Sequence, residues 1–378
     1  MAPTAFASSA LSRASTAGAT RLSDLRVWME HQGLEAAYIT RPVSIAYLTG
    51  FHAEPFERLM ALAVRPDSAT LIVPALEQQK AAAQVSDAQV ISWRDGEDAY
   101  GLVRDALSGC VKVGVEKEHL TVLAAEALTA RTGVKEMLDL GPEIRKLRIK
   151  KNEREVESLQ RAAGITDAAG EVVFGRLRPG QTELEVALIL GTAIGELGGT
   201  LSFESLIQSG PNSALPHMHP TGRQLSPGDF VLLDFGAAFE GYKADIARMG
   251  VVGEPTARHV EIHQLVLDAH DAAIAAVRAG VTTGEVDAAA RRVIEAAGYG
   301  EQFFHRTGHG LGLEEHEDPS LDPGSKTVLE AGMVFTIEPG VYIPGWGGVR
   351  IEDDVLVEED GCRVLTKAYR ALRVIRAD

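Results

Sequence analysis

From residue 21 onward, apolar positions fall into two alternating textures. Residues 22–30 and 120–130 carry apolar side chains at helical spacing, whereas 36–40, 59–64, 70–73, 90–93 and 111–115 are short runs rich in β-branched and aromatic residues. Gly50-Phe51 and Asp95-Gly96 supply turns between them. Helices interleaved with short strands predict an α/β domain over 21–148. Near residue 145 the texture changes: Arg145, Lys146, Arg148, Lys150 and Lys151 crowd together, and a long helical pattern starts around Asn152. The boundary is placed there, giving a second domain over 149–378, and the basic run reads as a solvated helix start or linker. Residues 1–20, dominated by Ala, Ser and Thr, lack the continuous apolar core of a secretory signal and are expected to form a disordered tail.

The second domain carries an internal repeat. Arg178-Pro-Gly180-Gln-Thr182-x-x-Glu185-Val186 matches Arg278-Ala-Gly280-Val-Thr282-x-x-Glu285-Val286 at an offset of 100 residues, with five identities in one register. Each copy is a glycine helix stop followed by a Thr-x-x-Glu capping box, in which Thr covers one free backbone N–H and Glu reaches back to another. Two helix–turn–helix units related by a pseudo-twofold axis are expected, with a cleft between the halves as the natural place for a site.

Composition narrows the function. With 378 residues, 45% hydrophobic and 24% charged, the chain is long enough for two cores. No apolar stretch approaches the roughly 18–20 residues of a membrane helix. A formal charge of −16 argues against nucleic acid or an anionic bilayer as partner, since both are bound through positive patches. Cys110 and Cys362 stand far apart with no C-x-x-C spacing, which fits neither a disulfide framework nor a cysteine zinc site and points to a reducing cytoplasm.

Chemistry-bearing residues gather in three stretches of the second domain. Phe230 to Asp245 reads as strand, turn and strand. If the hairpin is centred between Phe239 and Glu240, Asp234 and Asp245 lie opposite one another, about 4.5–5.5 Å apart at Cβ. Carboxylates that close repel unless protonated or joined by cations, and the buried Val231-Leu232-Leu233 run makes an unpaired carboxylate costly, so the pair favours metal. In His305-Arg-Thr-Gly308-His309-Gly310-Leu-Gly312-Leu-Glu-Glu-His316, the glycines are expected to take tight, positive-φ geometry and leave His309 as an imidazole donor. Glu338 follows the apolar run Met333 to Ile337, and Glu352 follows Arg350 in another β-rich segment. Two Asp, one His and two Glu make an oxygen-rich pair of sites suited to manganese, cobalt or zinc. His259 and His263, spaced i,i+4, lack the Glu placement of the H-E-x-x-H motif and are read as a solvated helix face.

These motifs, together with Ile45-Ala-Tyr47-Leu-Thr-Gly50-Phe near the N-terminus, resemble the pita-bread metallopeptidases, in the branch that holds prolidase (Xaa-Pro dipeptidase) and aminopeptidase P. The resemblance covers nearly the whole chain. It implies an α/β N-terminal domain followed by an α+β pita-bread (creatinase/aminopeptidase-like) catalytic domain. It also implies two divalent metal ions held by Asp234, Asp245, His309, Glu338 and Glu352, with Asp245 and Glu352 bridging, and His217, His305, His316 and Arg350 at the substrate. The expected reaction is hydrolysis between an N-terminal residue and proline. Glu338 is expected to shuttle the proton, and His316 and His305 to stabilise the oxyanion. A homodimer is the usual arrangement among similar proteins.

A dipeptidase needs a cation for the substrate's C-terminal carboxylate. Prolidases resembling this chain often carry an Arg shortly after the H-E-x-P element, where this sequence has Ser320 and no Arg between Glu317 and Gly348. Arg58, or less plainly Arg41, is the expected substitute. An aminopeptidase P acting on longer Xaa-Pro peptides shares every ligand. A small-molecule hydrolase, or a non-catalytic binding protein on the same scaffold, are the further alternatives.

Overall fold

The structure, a computed structural model, describes residues 20–376. The tail expected over 1–20 lies outside the described residues except for residue 20, which already opens a helix running to residue 31. The chain divides into two compact units after Arg148.

The first unit is built on a six-stranded sheet in the order Gln89–Trp93, Ala69–Pro74, Ala61–Val64, Ala36–Ile39, Lys112–Val115, Glu136–Asp139. The central pairs are antiparallel and the flanking ones parallel. Its helix Pro42–Thr49 escaped the periodicity argument because residues 44–49 are all buried, so no polar face marks the turn of the helix. Its punctuation was nonetheless present: Pro42 at the first turn, and Gly50 at φ 75° stopping it in the left-handed conformation.

The second unit carries the repeat. Helices Glu153–Arg176 and Glu183–Glu196 form one pair, and Ala257–Ala276 and Thr283–Ala296 the other. Both capping boxes close. Glu185 N–H donates to Thr182 Oγ1 at 3.2 Å and Glu285 N–H to Thr282 Oγ1 at 3.3 Å, while each Thr N–H returns a 2.7 Å bond to the Glu carboxylate. Each cap residue also makes an isolated β-bridge, Thr182 to Gln224 and Thr282 to Val328. These helices cover two sheets. One has the order Arg373–Ile375, Ile246–Val252, Phe230–Phe235, Leu206–Ser209; the other runs Glu317–Ser320, His309–Gly310, Val334–Ile337, Asp353–Glu358, Gly361–Val364. Phe230, Leu232, Met249, Phe335, Ile337, Val355 and their neighbours weld the sheets and the second helix pair into one core.

Two expectations fail here for the same reason, that tertiary packing buries what composition alone would solvate. Lys151, in the basic run, has its side chain 1% exposed and its ammonium 2.7 Å from the buried Glu317 carboxylate. His259 and His263 are buried rather than solvated. The His259 ring packs 4.7 Å from Phe230 and stacks at 5.5 Å on Trp346, while its Nδ1 accepts the Thr256 N–H to complete a helix cap. Burial pushes His263 down to about 4.

Candidate metal centre

The first two acids come from the hairpin, whose register differs from expectation. The turn is Glu240-Gly241, with φ of 49° and 84°, the consecutive left-handed residues of a type I′ hairpin, flanked by the pairs Phe239–Tyr242 and Ala238–Lys243. Asp234 therefore faces Ala247 rather than Asp245, a slip of two residues. Because strand side chains alternate with period two, that slip leaves the two carboxylates on one face, diagonal instead of opposite. Both line the same cavity.

His309 is presented by a strand threaded between two neighbours. The glycines around it are required for space, since none of the three is a positive-φ residue. A Cβ on Gly308 would sit 1.8 Å from Thr336 O, and one on Gly310 2.1 Å from Asp318 O. The His309 N–H donates to Thr336 Oγ1 at 3.1 Å. Glu338, at the end of Val334–Ile337, is pinned by its N–H to Thr307 O at 2.8 Å, and Glu352 by its N–H to Ala247 O at 3.2 Å.

These placements converge. One ligand atom from each of Asp245, His309 and Glu352 lies within 4.8 Å of the others, and Glu338 Oε1 is 3.4 Å from His309 Nε2. His309 Nδ1 lies 3.2 Å from Gly310 O, which places the ring proton there and turns the Nε2 lone pair toward the acids, as in a metal-ligating imidazole. Asp245 Oδ1 and Glu352 Oε1 are buried with no hydrogen-bond partner among the described residues. Burial, reinforced by the neighbouring acids, holds both carboxyls well above their ordinary range and pushes Glu338 up to about 7. A cluster this expensive to ionise is relieved by a divalent cation, and its donors fit one. Asp234 lines the same wall, with one oxygen on the Arg350 guanidinium.

Behind the acids lies a charged scaffold that the sequence reading did not find. Arg248 donates to Glu352 O and to Asp353, and His270 Nε2 lies 3.1 Å from Asp353. Asp354 accepts the Asp245 N–H at 3.1 Å, tying one acidic segment to the next. The Glu352-Asp-Asp run was the available signal, but nothing local distinguished its second and third acids from surface charge.

The histidines divide by what their nitrogens already do. His305 Nδ1 lies 2.7 Å from Arg306 O, so the proton sits there, and Nε2 accepts the Tyr342 hydroxyl at 3.0 Å. Burial lowers His305 to about 4, which keeps it neutral. With both nitrogens engaged, it has no N–H left for an oxyanion, contrary to the role expected of it. Tyr342 also accepts Arg350 at 2.7 Å; Arg350 is buried, and only its Nε lacks a partner among the described residues. His316 packs its ring 4.0 Å from His309, while its Nε2 stands 3.7 Å from Glu315. His217 lies exposed at the rim.

The cavity has a volume of about 1080 Å³, and all the expected ligands, the three histidines and Arg350 line it. The lining also includes the apolar residues Phe203, Leu215, Pro216, Met218 and Phe304. Arg306 lines the cavity too, a residue overlooked although it sits inside the His305–His309 motif. It is half-buried, donates to Ser320 Oγ at 2.9 Å, and has no carboxylate partner among the described residues. Arg58, by contrast, is in the first unit with its fork on both oxygens of Asp95 at 3.0 Å and a further contact to Glu57. Arg41 pairs with Glu118.

Comparison with known proteins gives concordant matches. The profile described as metallopeptidase family M24 matches residues 157–359, and that of the creatinase/prolidase N-terminal domain matches residues 21–150. A Xaa-Pro dipeptidase from Lactobacillus delbrueckii subsp. lactis is 38% identical over 362 residues, covering 94% of this chain and 98% of that one. The structure of a Xaa-Pro dipeptidase from Bacillus anthracis superimposes with a TM-score of 0.89 at 35% identity, covering 95% of this chain and 100% of that one. An X-Pro aminopeptidase from Thermotoga maritima gives 0.84 at 31% identity, covering 91% and 98%.

Proposed function

The chain belongs to metallopeptidase family M24, and on that premise we propose that it is an Xaa-Pro dipeptidase, hydrolysing the bond between an N-terminal residue and a following proline. The observation that carries this reading is the convergence of Asp245, His309 and Glu352, with unpartnered carboxylate oxygens, in a cavity that apolar side chains also line. Asp234, Asp245, His309, Glu338 and Glu352 would hold two divalent cations, and the oxygen-rich donor set with one nitrogen suits manganese, cobalt or zinc. Bound there, such cations supply Lewis acidity that polarises the scissile carbonyl and acidifies water.

The protein's own groups do the rest. Glu338, whose carboxylate stands 3.4 Å from His309 Nε2, takes the proton from water and returns it to the prolyl nitrogen, which must be protonated to leave. His316 donates to the carbonyl oxygen as charge develops on it. His305, Tyr342 and Arg350 form a rigid backing that orients Asp234. His217 contacts substrate from the rim.

Arg306 is the cation we propose for a dipeptide's C-terminal carboxylate: it lines the cavity and donates to Ser320, the residue at which the sequence departs from its resemblance. Arg306→Ala is expected to raise KM for Xaa-Pro dipeptides about ten- to a hundredfold, the worth of a charge-assisted hydrogen bond, and to affect Xaa-Pro-Xaa substrates less. Steady-state kinetics on both lengths, with Arg58→Ala in parallel, decides between the two arginines; a KM rise in Arg58→Ala alone returns the role to Arg58.

With metal restored, proline release from Xaa-Pro dipeptides is expected to exceed turnover of the longer peptides. Metal-loaded protein that leaves Xaa-Pro dipeptides intact overturns the reading, and a preference for longer peptides transfers it to aminopeptidase P. Both cysteines are free thiols, in keeping with the cytoplasmic setting we propose, and sedimentation tests the proposed homodimer.

A further inference from the structure

We propose that Glu183, one of the two unassigned positions inside the first Thr-x-x-Glu box and absent from the cavity lining, is a positioning residue that holds the 209–221 loop in the shape that delivers His217 to the site. Glu183 is the first residue of helix Glu183–Glu196, and it is completely buried. Its Oε1 accepts the Ser209 N–H at 2.8 Å, the Ser209 hydroxyl at 2.7 Å and the Asn212 amide at 3.0 Å. Its Oε2 accepts the Thr221 N–H at 3.0 Å and the Thr221 hydroxyl at 2.7 Å. One carboxylate therefore gathers donors from both ends of a single loop, and between those ends come Leu215, His217 and Met218, all of which line the cavity.

Helix capping does not explain this residue. The duplicated helix has the same Thr-x-x-Glu box, yet the matching position is Thr283, whose hydroxyl donates to Ser325 Oγ at 2.7 Å and gathers no loop ends. An acid in a first turn is favoured by the helix dipole, but that benefit is available at the surface. Burying a carboxylate is costly unless its lone pairs are filled, and here the loop fills them. The middle of the loop is held separately. The Gln208 amide nitrogen lies within hydrogen-bond distance of the carbonyls of Leu215, Pro216 and Met218, on either side of His217.

Glu183→Gln isolates the effect. Each oxygen receives a backbone N–H, from Ser209 or from Thr221, so whichever way the new amide turns, its NH2 faces one of them and releases that end of the loop. The inference rests on the substrate role of His217, and the experiment separates the two. In the metal-loaded protein, Glu183→Gln is expected to keep its metal content, to speed amide hydrogen exchange within 209–221 and not in the strands that carry the acids, and to lower kcat/KM about ten- to a hundredfold. In a His217→Ala background the same substitution should cost much less, because the group being positioned is gone. Unchanged exchange in 209–221, or an equal cost in both backgrounds, overturns the proposal. A silent His217→Ala removes the substrate role of His217 instead, and the exchange result by itself then decides whether Glu183 holds the loop. Should Glu183→Gln not fold, Thr221→Ala, which deletes one of the hydroxyl donors, is expected to show the same pattern at smaller amplitude, and its absence there counts against the proposal.

Discussion

Glu352→Gln is expected to abolish peptidase activity and, in metal-free protein near pH 8, to raise thermal stability above that of the wild type. The two halves of this result share a cause. Asp245 and Glu352 are fully buried, each raised first by burial and then by the other acids of the cluster. A carboxyl whose folded-state pKa is raised contributes stability at pH below its unfolded pKa and loses that contribution as pH climbs through the folded value. Without metal, the wild type should therefore weaken progressively from about pH 4, where free carboxyls titrate, through about 7, where Glu338 does, and beyond. Metal reverses the loss by displacing the protons and neutralising the cluster. The amide of Glu352→Gln cannot ionise, so the chelated variant escapes part of the penalty; each ~1 kcal/mol relieved is worth about 2–4 °C in a domain of this size. The same amide is a poor ligand, and metal affinity should fall by more than the ~10–100-fold that an outer-sphere partner is worth. Melting curves in chelator from pH 5 to 8, with metal analysis of the reloaded protein, check both halves. Equal melting temperatures at pH 8, or wild-type metal affinity, would show that Glu352 is not part of an ionic cluster built for a cation.

Glu338→Gln should separate proton transfer from metal binding. The side chain is largely enclosed, its Oε1 is 3.4 Å from His309 Nε2, and in the absence of metal its carboxyl is pushed up to about 7 by desolvation against the pull of Arg350. A positioned carboxylate can both accept a proton from water and return it to the leaving nitrogen. At saturating metal, kcat for an Xaa-Pro dipeptide is expected to drop about 10²–10⁴-fold, the typical worth of a positioned general acid–base, while KM changes little. Metal content should be measured at the concentration used for kinetics, because Glu338 is also a proposed ligand. A kcat within about threefold of wild type would remove the proton-carrier role, and a loss recovered entirely by more metal would leave Glu338 as a ligand only.

The sequence alone carried the local decisions. Thr-x-x-Glu at 182–185 and 282–285 specified two capped helix starts, and both boxes are closed, because a cap depends on atoms three residues apart. Short β-rich runs between helical periods specified the α/β first unit for the same reason. Motif content, from the acids at 234, 245, 338 and 352 to the histidines at 217, 305, 309 and 316, named groups that one cavity brings together. What the chain did not reveal were the relations between distant segments. The hairpin register turned on Glu240-Gly241 adopting a type I′ turn, a choice coupled to strand twist. Gly308 and Gly310 are needed because Thr336 and Asp318 carbonyls press on them, which no φ argument from sequence could show. His305 lost its expected N–H to Arg306 O, Arg306 found Ser320, and Glu183 closed a loop whose donors begin 26 residues away. Hydrogen bonds and ion pairs of this kind form only after the core has set which backbones meet, so tertiary structure decided them.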